Sequence, residues 1–118
     1  MSGTNMAKAA SPKAISPAAP SPRFTSSRIQ VTIDQRPYAI VNMNMFDVLI
    51  AGAPDWIAPR QKLDFKFLLT LGGREVGLST YGVVVKNDGA GLEVRYQAPN
   101  ARWRDLLARV ITEENSKG

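Results

Sequence analysis

The sequence predicts a mostly β chain: a small six-stranded antiparallel β-barrel with a C-terminal α-helix, behind a Pro/Ala/Ser-rich tail. Three observations lead there. Between Arg28 and Tyr96, apolar and polar residues alternate in short runs, the period of half-buried strands. Gly, Pro, Asn and Asp interrupt these runs at close intervals, as antiparallel hairpins require. After Pro99 the apolar spacing changes to that of a helix.

The tail is read from composition. Residues 1–27 hold six Ser, six Ala, four Pro and the cations Lys8, Lys13 and Arg23, with no acid. Apolar side chains larger than Ala are Met1, Met6, Ile15 and Phe24. So little apolar surface does not offset chain entropy, and proline blocks both helix and ladder. Residues 1–21 are therefore expected to be a disordered linker. Residues 22–114 form the domain, whose N-terminal arm from Pro22 onward is either more linker or a segment that orders on a ligand. Residues 115–118 are expected to fray.

Ile29, Val31 and Ile33 alternate with Gln30 and Thr32 as a first strand, and Asp34–Pro37 reads as a turn. Tyr38–Met43 and Phe46–Ile50 follow as strands two and three. Ala51–Pro59 is a loop in which Trp56 and Ile57 are expected to cap the core. Leu63, Phe65, Phe67, Leu69 and Leu71 mark the strongest strand. After Gly72-Gly73, Glu75–Lys86 reads as one long strand, bent or bulged near Gly77 and Gly82. Asn87-Asp88-Gly89 is a hairpin turn, and Leu92, Val94 and Tyr96 mark the last strand. Asn100 is placed to cap a helix. Trp103, Leu106, Leu107, Val110 and Ile111 then make one apolar stripe, with Arg102, Asp105, Arg109 and Glu113 on its wet side.

With 118 residues, the chain has room for one modest core. It contains no Cys and no His, which removes thiol nucleophiles, disulfides, imidazole bases and the commonest zinc ligands. Asp34, Asp47, Asp55, Asp64 and Asp88 fall in separate turns and strands without pairing. Ser79 lies within a strand, not at a nucleophile elbow. Gly72, Gly73 and Gly77 lead into a strand, where phosphate binding needs a helix N-terminus. A binding function is expected, not an enzyme, with neither a required cofactor nor a metal.

The net charge of +5 splits unevenly: +3 lies in residues 1–27, and the remainder carries 12 basic and 10 acidic groups, so +2. No apolar run approaches the roughly 18 residues of a membrane span, and the N-terminus lacks an apolar leader. The expected location is the cytoplasm. A nucleic-acid-binding barrel is a further reading, with Phe65 and Phe67 as candidate stacking residues. They share a face with Leu63, Leu69 and Leu71, so a core role is expected instead.

One constellation combines arginines on the arm with a polar corner: Arg23, Arg28 and the run Asn42-Met43-Asn44-Met45-Phe46-Asp47-Val48-Leu49-Ile50. Here the sequence resembles the PilZ domain family, receptors for bacterial cyclic di-GMP. The likeness spans about residues 22–112 and includes Gly82-Val83-Val84, Gly91–Tyr96 and the closing amphipathic helix. The family is a six-stranded barrel with a C-terminal helix. Its ligand motifs are an arm RxxxR and a strand-ending [D/N]xSxxG.

By this resemblance, Asn42 falls on the residue that meets the guanine edge. Asn44 replaces the motif serine, and Asp47 replaces its glycine, adding bulk and negative charge. Arg23 stands near the second motif arginine, but the position four before it is Ala19, with Arg28 as a substitute after it. The implied ligand site is Arg23, Arg28, Asn42, Asn44 and Asp47. The implied role is a small bacterial signalling adaptor with cyclic di-GMP as regulatory ligand and a protein partner still to be identified. The alternative is a degenerate domain that has lost the nucleotide and works through protein contacts alone.

Overall fold

The structure, a computed structural model, describes residues 22–116; the tail read over 1–21 lies outside them. The strands are β1 (Ile29–Ile33), β2 (Arg36–Met43), β3 (Asp47–Ile50), β4 (Lys62–Leu71), β5 (Arg74–Asp88) and β6 (Gly91–Tyr96), followed by α1 (Trp103–Ser116). They form a closed antiparallel barrel in the order β1-β2-β3-β6-β5-β4. Closure by β1 on β4 runs from Ile29 opposite Leu69 to Thr32 opposite Lys66. A closed sheet has no edge strand.

Alternation sets the inside. Val31, Met43, Val48, Ile50, Phe67, Leu69, Leu92 and Val94 are fully buried. Phe65 and Phe67 pack edge to face at 5.2 Å within this core, not on a stacking platform.

The first hairpin is tighter than the sequence suggested. Asp34 and Gln35 both take positive φ, 50° and 67°, the two-residue turn that matches strand twist. Arg36 and Pro37 therefore belong to β2. Pro37 is tolerated because β2 acquires its β3 partner only from Ile40 onward. In β5 the register is continuous through Gly77 and Gly82, and the irregularity lies between Val84 and Lys86. Gly82 serves close approach instead: a Cβ there would come within 2.4 Å of the Arg95 carbonyl oxygen.

The two ends are sealed differently. At one end α1 lays Trp103, Leu107 and Val110 onto the core. Asn100 caps it as expected, its Oδ1 accepting from the Arg102 N–H at 2.9 Å. At the other end Ile57 plugs the opening at 1% exposure, whereas Trp56, expected beside it in the core, is 63% exposed. The reason is backbone anchorage. Asn87 Nδ2 donates to the Pro54 and Ile57 carbonyls at 2.9 Å each, which turns Ile57 inward and its neighbour out. Among the described residues no helix is long and apolar enough to cross a membrane.

Candidate functional site

The arm is docked, not free. Phe24 exchanges both backbone hydrogen bonds with Met43, at 2.9 and 2.8 Å. Val48 of β3 already holds the other edge of β2 at Met43, so the arm lies along the edge that β1 has left. Phe24 turns its ring toward the core. Its neighbour Arg23 consequently faces outward.

From that position Arg23 reaches β6. Its Nη2 and Nη1 donate to Glu93 Oε2 at 2.9 and 3.2 Å. The strand order β2-β3-β6 requires the side chain to cross the outer surface of β2 and β3. Glu93 ends one cross-strand row: Asn42 opposite Leu49, and Leu49 opposite Glu93. The Arg23 and Glu93 side chains are 33% and 13% exposed. Burial raises the Glu93 pKa above the ordinary carboxylate range, and the Arg23 guanidinium opposes that shift.

Asn42 occupies this row half-buried, and its Oδ1 has no hydrogen-bond partner among the described residues. A buried acceptor left in that state costs roughly 1–3 kcal/mol and calls for an explanation. Asn44 plays a different part. It is 6% exposed, and its Oδ1 accepts from the backbone N–H groups of Phe46 and Asp47 at 2.8 Å each. That is an Asx turn linking β2 to β3. Its carbonyl accepts from Tyr96 Oη at 2.7 Å, and Tyr96 Oη in turn accepts from Trp103 Nε1 at 2.8 Å. The helix cap and the corner are thus joined by two hydrogen bonds. Burial pushes the Tyr96 phenol up to about 12.

Asp47 begins β3 opposite Arg95, and its Oδ1 accepts from Arg95 Nε at 3.2 Å. The carboxylate that replaces the motif glycine is thereby held against a cation of the neighbouring strand. Arg28 is not brought to the corner. It stands before β1, and its Nη1 pairs with Glu113 of α1 at 3.4 Å. Glu113 also accepts from the Gly72 N–H at 2.9 Å. This residue, expected on the wet face, is drawn half-buried onto the barrel rim. Ser26 Oγ donates to Glu114, and these ties carry the helix past residue 114.

Arg23, Asn42 and Asp47 therefore share one outer surface. Asn44 lies under it as its scaffold, and Arg28 lies elsewhere. Glu93 and Arg95 belong to the same surface and were not singled out from the sequence. Their outward alternation with Leu92, Val94 and Tyr96 was legible, but their cross-strand neighbours were not. Among the described residues no three carboxylates gather in a way that would hold a metal ion.

No family model matches the chain, and no curated protein matches it.

Proposed function

We propose that this chain is a non-catalytic binding module that takes an anionic nucleotide of the cyclic di-GMP kind at the Arg23–Asn42 corner and relays its binding to a protein partner. One observation carries this reading: Arg23 is paired to Glu93, which ends the cross-strand row that holds Asn42, whose Oδ1 has no partner among the described residues. Asn42 supplies an amide for a base edge, and Arg23 supplies a guanidinium for phosphate or for stacking on a base. The barrel topology and the C-terminal helix agree with the resemblance to PilZ domains.

Glu93 occupies the Arg23 guanidinium, so a phosphate must displace a carboxylate. A charge-assisted hydrogen bond contributes roughly 1.5–3 kcal/mol, one to two decades of affinity. Arg28, tied to Glu113, adds nothing to the clamp. The module is accordingly a weak receptor.

A second reading rests on a separate observation. Asp47–Arg95 and Arg23–Glu93 pair both of these arginines with carboxylates, as expected of a module that has abandoned nucleotide and presents only a protein-binding face.

Calorimetric titration with cyclic di-GMP separates the two. The expected result is weak binding by the wild type, tightened about tenfold in Glu93→Gln and abolished in Arg23→Ala. If neither the wild type nor Glu93→Gln takes up the nucleotide, the second reading replaces the first.

A further inference from the structure

At the end of the barrel opposite α1, a cleft of about 380 Å³ is lined by Ile33, Asp34, Arg36, Tyr38, Pro54 and Trp56. That volume lies in the range of small-ligand and peptide subsites. Its wall is fixed: the carbonyls of Pro54 and Ile57, on either side of Trp56, are both held by Asn87, and Ile57 is anchored in the core. An indole 63% exposed on an anchored backbone is a preformed aromatic surface. With the half-buried Tyr38 and with Pro54 it has the composition that receives polyproline II ligands. Such a ligand has no internal hydrogen bonds, so its carbonyls are free to accept from the Trp56 indole N–H and the Arg36 guanidinium.

The sequence carries a matching spacing: Pro17-Ala18-Ala19-Pro20 puts two prolines three residues apart, the repeat that a polyproline II groove reads. Lys8 and Lys13 precede it, and no acid occurs before Asp34. Asp34 lines the cleft, and the exposed Asp55 adjoins Trp56.

Reach decides which copy supplies the segment. Phe24 is paired to Met43, which, with the bulge between Ile40 and Asn42, lies four ladder steps along β2 from Tyr38, or about 13 Å. The pairing is antiparallel, so the chain preceding Phe24 runs farther from the cleft, to a separation of about 20 Å at Pro22. Pro20 is two residues from Pro22, at most about 7 Å of extended chain. The two prolines together therefore do not reach the cleft of their own copy. We propose that the Pro17–Pro20 segment docks in the Trp56–Tyr38 cleft of a second copy of this chain; reciprocal exchange then closes the assembly as a dimer.

The test is sedimentation velocity on the full chain across a hundredfold concentration range. It compares the wild type, Trp56→Ala and the double variant Pro17→Ala/Pro20→Ala, with far-UV circular dichroism as the control for folding. The expected result is concentration-dependent dimerisation of the wild type, weakened at least tenfold in both variants. A synthetic peptide of residues 11–23 should dissociate the dimer and change the fluorescence of Trp56. A wild type that stays monomeric overturns the proposal. So does a dimer indifferent to the proline substitutions, which would use another surface. A cleft that binds an unrelated proline-rich peptide but not residues 11–23 would belong to a different partner, and this too overturns the proposal.

Discussion

The two ends of this barrel solve the same problem by different means. At one end a helix brings Trp103 into ring contact with Phe67 at 4.7 Å and joins Tyr96 and Asn44 in a hydrogen-bonded chain. At the other a loop inserts Ile57, with two of its carbonyls held by one side chain, Asn87. The helical end couples its seal to the Asn42–Asp47 corner, because the Asn44 carbonyl is a terminus of that chain. The loop end is held locally, by Asn87, by Gln61 and by backbone bonds to β2 and β5, and Trp56 faces outward. Two tryptophans of one small chain thus have opposite roles.

The sharpest break of this comparison is Trp103→Ala. It is expected to cost about 3–5 kcal/mol in urea unfolding, while Trp56→Ala at the other end stays within about 0.5 kcal/mol. Similar losses at both ends would erase the distinction.

Tyr96→Phe follows. It leaves Trp103 Nε1 and the Asn44 carbonyl without their shared partner, at a cost of roughly 1–3 kcal/mol. It also carries a pH signature. The folded phenol keeps its proton up to about 12, against an ordinary 10, so between these values the unfolded chain binds fewer protons. The stability of the wild type therefore falls as pH rises from 10 to 12, by about 2–3 kcal/mol. Denaturant unfolding of Tyr96→Phe should lack that component of the slope.

Asn87→Ala releases two carbonyls at the loop end and is expected to cost about 1–2 kcal/mol. Faster amide exchange should be confined to residues 54–58, with the corner undisturbed.

The smallest stability effect belongs to Arg23→Ala, at most about 1 kcal/mol for a pair this exposed. Its useful readout is a titration. Removing the guanidinium takes away an influence that lowers the Glu93 pKa, so carboxyl NMR should report Glu93 protonating at higher pH than in the wild type.

Most of the barrel was legible because alternation and turn chemistry are local. The Ile29–Ile33, Leu63–Leu71 and Leu92–Tyr96 runs and the Asn100 cap all lie where periodicity places them. What escaped depended on contacts distant in sequence. Trp56 looked like core by its hydrophobicity, but its orientation is set by Asn87, about thirty residues away. Glu113 sat on the wet side of the helical stripe until Arg28 and the Gly72 N–H drew it inward. The site divides along the same line. Arg23 and Asn42 were implied by the resemblance to PilZ domains, but nothing along the chain pointed to Glu93 as the partner of Arg23, since that pair exists only once β6 lies beside β3.

On the proposed function, Arg23 and Asn42 act together at one corner and Arg28 stands apart. An NMR titration with cyclic di-GMP can follow the Asn42 side-chain amide and the guanidinium N–H groups of Arg23 and Arg28. The Asn42 and Arg23 signals are expected to move together with one binding curve while Arg28 stays fixed. Movement of Arg28 with the other two, or saturation that leaves Asn42 and Arg23 unmoved, would contradict that reading.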